Sequence, residues 1–216
     1  MNFNDLVAKS VIQIKESNEF FGALMLFSEF KSSKDIPTAA TDGKKVFINE
    51  KFFNSLNSSE QNGLLLHEVL HMALLHVPRM GTRDLKRWNI AADYVVNDLI
   101  VRNSNFSLPE GAIKSSKKEY WDKSVEYIYE KIPNSMVSQF ASTDLIPLKN
   151  DESSSKDQKS YDRNASSSAS VDTISDDCVN YWKDKINLLK NSSLYSKSKL
   201  QGFFPGGIEK EIEAVT

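Results

Sequence analysis

A single cysteine, Cys178, rules out an intrachain disulfide anywhere in the 216 residues. It sits in polar sequence with no Cys or His beside it, which argues against a thiolate metal site or a redox pair. No apolar run approaches the roughly 20 residues needed to span a bilayer. The longest, such as residues 20–27, fall far short. The net charge is only -2, so nothing suggests a grip on nucleic acid or on an anionic membrane. The first ten residues lack the basic start and apolar core of a signal peptide. These absences leave the cytoplasm as the expected compartment, with no nucleic-acid and no membrane partner.

The rest of the composition is that of an ordinary globular chain, 40% hydrophobic and 26% charged. Its length allows one well-buried domain with appendages. Apolar positions at Leu6, Val7, Val11 and Ile14 repeat with helical spacing, and Phe20, Phe21, Leu24, Met25 and Phe27 continue the stripe. Two helices or one broken helix are expected there, with the stripe as core. Asp42-Gly43 between two short apolar runs signals a hairpin. Pro37 places the first of these strands at a sheet edge or at its own start. A short helix follows at 50–56. Ser58 and Gln61 then suit a capping box that opens a long helix. Residues 63–75 are apolar nearly all round, so that helix is buried. Further helices are expected at 84–101 and 122–132, with a loop at 107–111. Residues 150–177 are dominated by Ser, Asp, Lys and Asn and read as a flexible linker. A helical segment, 178–216, would resume after it, with a last helix beyond Pro205-Gly206-Gly207.

The chain has only three histidines, and all lie between positions 67 and 76. His67-Glu68-Val69-Leu70-His71 is an H-E-x-x-H motif. Histidines four apart share one helix face, about one turn apart, so both can reach one zinc ion. Glu68 comes up beside the metal, where it can take a proton from an acidified water and later hand it to a leaving amine. Satisfied core histidines are the plainer alternative. Against it, two imidazoles and a carboxylate in apolar surroundings are costly unless paired or bound to a metal.

A catalytic zinc needs a third protein ligand. His76 suits by residue type, but on a continued helix it would point about 140° away from His71. It could ligate only if the helix ended near Met72. Asp93, in the next helix beside Ala91 and Ala92, is the better candidate. Its alternatives are a partner for Arg83 or Arg87, or a carboxylate steadying a ligand imidazole. Asp98 and Glu110 also remain as ligands. Asn89 and Asn97, one turn either side of Asp93, could orient that carboxylate or merely cap its face. Tyr94 could stabilise an oxyanion but reads better as core. Residues 45–49 could bind an extended substrate by strand addition, or serve as plain hairpin.

Together, Thr41-Asp42-Gly43, Val46-Phe47-Ile48-Asn49, the His67–His71 motif, His76, and Arg87-Trp88-Asn89-Ile90-Ala91-Ala92-Asp93 resemble a metallopeptidase domain found N-terminal to VWA-like domains in bacterial and phage proteins. Residues 108–112 and 202–209 fit the same pattern. The resemblance covers most of 1–132 and about 178–216. It implies a zincin-like α+β fold, mostly helical, with a small β-hairpin or sheet beside the active-site helix. It also implies a domain at 1–135, a zinc ion, Asp93 as a ligand and a protein or peptide substrate. A VWA-like domain would follow residue 216, with an AAA+ ATPase as partner. The expectation is a zinc metallopeptidase with His67, His71 and Asp93 as ligands and Glu68 as catalytic base. The alternative is a zinc-binding adaptor without turnover.

Overall fold

The computed structural model describes residues 2–113, 118–138, 143–147 and 169–200, with side chains in the last stretch from 176 to 197. Helices α1 (Phe3–Ser17) and α2 (Glu19–Leu26) open the chain. Asn2 and Asp5 form a reciprocal capping box on α1. Asn18 stops α1 and starts α2, its Oδ1 accepting from the backbone N–H of Phe20 and of Phe21. Strands β1 (Glu29–Ser32), β2 (Ala39–Thr41) and β3 (Lys45–Ile48) follow. The β2–β3 turn is the expected Asp-Gly turn. Asp42 Oδ1 accepts from the N–H groups of Lys44 and Lys45, and Gly43 takes a φ of 89° that favours glycine.

The sheet order is β1-β3-β2, with β1 parallel and β2 antiparallel to β3. Strand β1 was not anticipated, because Glu29-Phe30-Lys31-Ser32 is short and mostly exposed. Its consequence is that β3 lies in the centre, paired on both sides. Of the two readings of residues 45–49, strand addition is excluded and the plain hairpin holds; β1 and β2 are the edges, β2 as Pro37 had suggested.

Helices α3 (Glu50–Ser55) and α4 (Ser58–Ala73) come next. The capping box of α4 is one residue earlier than expected, Asn57 with Glu60 instead of Ser58 with Gln61. Asn caps as well as Ser does, and an Asp or Glu can reach back where a Gln would. Every residue of α4 from 61 to 73 is buried, so this helix is the axis of the domain. Leu75 breaks it in the left-handed region, at φ 57°. The short α5 (His76–Arg79) then leads to α6 (Leu85–Asn103), capped by Asp84. Ala91 and Ala92 on α6 are fully buried, and α6 packs against α4. A 3-10 turn at Lys118–Tyr120 precedes α7 (Val125–Lys131) and α8 (Asn134–Val137).

Helix α9 (Ala169–Lys190) begins inside the stretch read as linker. Its Cys178, Trp182, Ile186 and Leu189 join the same core as α1, α2 and α4. Cys178 Sγ and Trp182 Nε1 both donate to the Gly43 carbonyl, tying α9 to the hairpin turn. Helix α10 (Ser193–Leu200) ends the described chain. The helix expected after Pro205-Gly206-Gly207 and the linker from 150 to 168 lie outside the described residues. No helix among the described residues is long and apolar enough to cross a membrane. The architecture is α+β, mostly helical with one small sheet.

Gly63 marks where the chain crosses α4. A Cβ there would overlap the carbonyl oxygen of Ser107, in the loop that leaves α6. The backbone of that loop is pinned by a bond from Ser107 N–H to Ser59 Oγ. Gly63→Ala is expected to cost about 2–3 kcal/mol, since a main-chain atom must move. Thermal unfolding checks this; an unchanged Tm would show that the loop yields freely.

Candidate metal centre

Helix α4 carries His67 and His71 on one face, as their spacing requires. Helix α6 packs against α4 and brings Asp93 to meet them. His67 Nε2 and His71 Nε2 are 2.9 Å apart. Asp93 Oδ1 lies 3.4 Å from His71 Nε2 and 3.8 Å from His67 Nε2. A fourth donor, absent from the sequence reading, comes from the segment 143–147: Asp144 Oδ2 stands 2.9 Å from His67 Nε2. The ligand atoms of His67, His71, Asp93 and Asp144 all fall within 4.8 Å of one another. Asp144 follows Asp93 by 51 positions in sequence of no recognisable pattern, and no sequence signal could have singled it out.

The tautomers follow from the surrounding bonds. Asn97 Nδ2 donates to the Ile113 carbonyl at 2.8 Å, which turns its Oδ1 toward His67 Nδ1, also at 2.8 Å. His67 therefore carries hydrogen on Nδ1. In its neutral form Nε2 is a bare lone pair, facing another imidazole nitrogen and two carboxylates. Such a cluster of acceptors holds together only around a cation or a proton. Without a metal the proton goes to His67. Burial works against its charged form, but the bond to Asp144 and the charges of Asp144 and Asp93 outweigh it and push the ring up to about 9. His71 is then lowered to about 3, by burial and by the charge on His67. Burial, followed by the charge of Asp144, raises Asp93 well above the usual carboxylate range. Two imidazole nitrogens with carboxylate oxygens are a donor set that suits a divalent metal ion. The site fits one.

Glu68 is 1% exposed, and its Oε2 has no hydrogen-bond partner. Burial, and next the charge of Asp144, raise it well above its ordinary value. With His67, Asp93 and Asp144 it lines a cleft of about 240 Å³, whose other wall includes Leu108 and Ile113. The carboxylate is thus placed where a buried acid or base could meet a bound molecule.

His76 stands behind the cluster, not in it. Leu75 turns the chain so that His76 Nδ1 comes within 2.9 Å of His71 Nδ1, on the ring edge opposite to His71 Nε2. Trp88 Nε1 donates to the His76 carbonyl at 2.7 Å and fixes this turn. With Nε2 of His71 free to ligate, Nδ1–H of His71 donates to His76. The helix does end early, at Ala73, yet the turn delivers His76 to the back of His71.

Asn89 donates to Asp93 Oδ1 at 3.3 Å, while its Oδ1 accepts from the N–H groups of Asp144 and Leu145 at 3.0 Å each. Both Asn residues flanking Asp93 thus serve the cluster. Tyr94 packs edge-on against Tyr120 with its hydroxyl on the Met136 sulfur, as core. Asp98 pairs with Arg102. Glu110 lines the cleft but is exposed.

No curated protein and no solved structure matches the chain. A family model described as "Putative metallopeptidase domain" matches residues 4–198, a span that includes every donor of the cluster and Glu68. The match spans most of the chain, and the chain belongs to this family.

Proposed function

We propose that this chain is a zinc-dependent peptidase, with His67, His71 and Asp93 holding the zinc and Glu68 acting as general base and then general acid. The observation that carries this reading is the position of Glu68. It is buried beside the donor cluster, has an oxygen without a partner, and opens onto a cleft. A purely structural metal site has no use for such a group. When bound, zinc would supply Lewis acidity, polarising the scissile carbonyl and making water a better proton donor. Glu68 takes the proton of the attacking water and delivers it to the leaving amine. Asn97 and His76 hold the two imidazoles in the ligating tautomer.

Purified chain should contain about one zinc and hydrolyse peptides from a mixed library. Chelation should abolish this, and added zinc should restore it. Hydrolysis indifferent to chelation would overturn the reading. A second measurement addresses His76. His76→Leu should weaken zinc binding by about 10–100-fold, with His76→Gln largely sparing it, because Gln still offers an acceptor to His71 Nδ1–H. Equal affinities in all three chains would mean that His76 only packs.

One observation favours a second reading. Counting Asp144, four protein donors converge, and closed four-donor sets mark structural zinc sites. A zinc-holding adaptor, working with a VWA-like domain and an AAA+ ATPase, would need no free position.

A further inference from the structure

We propose that the segment 143–147 is a built-in occupant of the cleft, which has to withdraw before a peptide can bind there. This rests on the peptidase reading above, and it explains how four converging donors can belong to a catalytic site.

The segment occupies the two places that an extended peptide would need. The first is the sheet edge. Strand β2 is one of the two edge strands, and its Ala39 and the preceding Thr38 line the cleft. The Thr41 N–H donates to the Asp144 carbonyl at 2.7 Å, and the Ile146 N–H donates to the Thr41 carbonyl at 2.8 Å. Strand addition to a sheet edge is a general way to hold an extended peptide, and it uses main-chain groups of this kind. Here the protein's own chain has already taken them, in a parallel bridge between Thr41 and Leu145.

The second place is among the donors. Catalytic zinc sites keep three protein ligands and one open position. His67, His71 and Asp93 supply three. Asp144 Oδ2, inside the same 4.8 Å group, supplies a fourth and closes the set. Asn89 couples the two events: one side-chain amide steadies Asp93 and accepts the N–H groups of Asp144 and Leu145. Leu145, 2% exposed, anchors the segment in the core.

The hold is nevertheless local. Among the described residues, the sheet pairs with the segment only at Thr41, as a single bridge and not a ladder. Asp144 Oδ1 is buried without a partner, which opposes docking. An occupant held this way can be displaced by a peptide that makes a longer ladder along β2.

The test uses the full zinc-loaded chain carrying Glu68→Gln, so that turnover plays no part. The probe is a fluorescent synthetic peptide with the sequence of residues 141–149. It should bind a variant whose residues 143–146 are replaced by Gly-Ser-Gly-Ser at least about tenfold more tightly than it binds the chain with its segment intact. A peptide with Ala in place of its Asp should lose about tenfold. Because the replacement could disturb folding, Asp144→Ala is measured in parallel. It should keep one zinc, bound within about tenfold of the parent affinity, and the amides of Thr41 and Ile146 should exchange faster with solvent. Equal peptide binding by the two chains would overturn the proposal. So would a loss of about a hundredfold or more in zinc affinity on Asp144→Ala, which would make Asp144 an obligatory ligand. Failure of the peptidase reading shows separately, as absent hydrolysis in the chain with Glu68 intact.

Discussion

Glu68→Gln is expected to lower peptide hydrolysis by about 10²–10⁴-fold or more while leaving zinc content unchanged. The substitution preserves the shape of the side chain and its place on α4 but removes its ability to accept a proton. In the metal-free chain it should also leave the fold at least as stable at neutral pH. The sign follows from linkage. Burial and the charge of Asp144 raise the Glu68 carboxyl above its ordinary value, so the folded state holds its proton more tightly than the unfolded state does. Stability therefore falls as pH rises above the ordinary carboxylate value, and Gln removes that cost. Lost turnover with retained zinc and an undiminished Tm identifies a catalytic carboxylate. Activity that survives Glu68→Gln would remove Glu68 from the chemistry and leave the adaptor reading.

His71→Ala is expected to weaken zinc binding by about three orders of magnitude or more, since a buried donor is lost and its tautomer-setting contact with His76 goes with it. Thermal unfolding with and without zinc reads this directly. A ligand at 100 times its Kd stabilises the fold by about 2.7 kcal/mol, and the variant should show none of that gain. The parent protein should also bind zinc more weakly as pH falls. In the metal-free site His67 is held protonated up to about 9: burial opposes its charge, but the contact with Asp144 and the charges of Asp144 and Asp93 prevail. Zinc must displace that proton, so apparent affinity should drop by roughly tenfold per pH unit below about 9. An affinity that is flat between pH 6.5 and 8.5, or zinc held equally well without His71, would contradict the assignment of these ligands.

Much of the frame was legible because local chemistry and burial agreed. The run from Leu64 to Leu75 is apolar nearly all round apart from His67, Glu68 and His71, so a buried helix was the expected way to absorb it. Asp42-Gly43 demanded a turn. Asp84 ahead of an amphipathic stretch marked the start of α6. The misplacement of the α4 cap by one residue reflects two adjacent side chains, Asn57 and Ser58, with nearly equal capping ability. Strand β1 escaped notice because four mostly exposed residues leave almost no periodic signal.

By itself the sequence determined that three histidines and Glu68 share one short stretch, and helix geometry then put His67 and His71 on one face. That much is local, set by 3.6 residues per turn. Only the tertiary structure decided which other groups join them. Leu75 in the left-handed region sends His76 behind His71. Packing of α6 against α4 brings Asp93 across. Pairing of Leu145 with the edge of β2 delivers Asp144 from far along the chain. Each of these depends on contacts between distant segments, which leave no periodicity in the sequence to read.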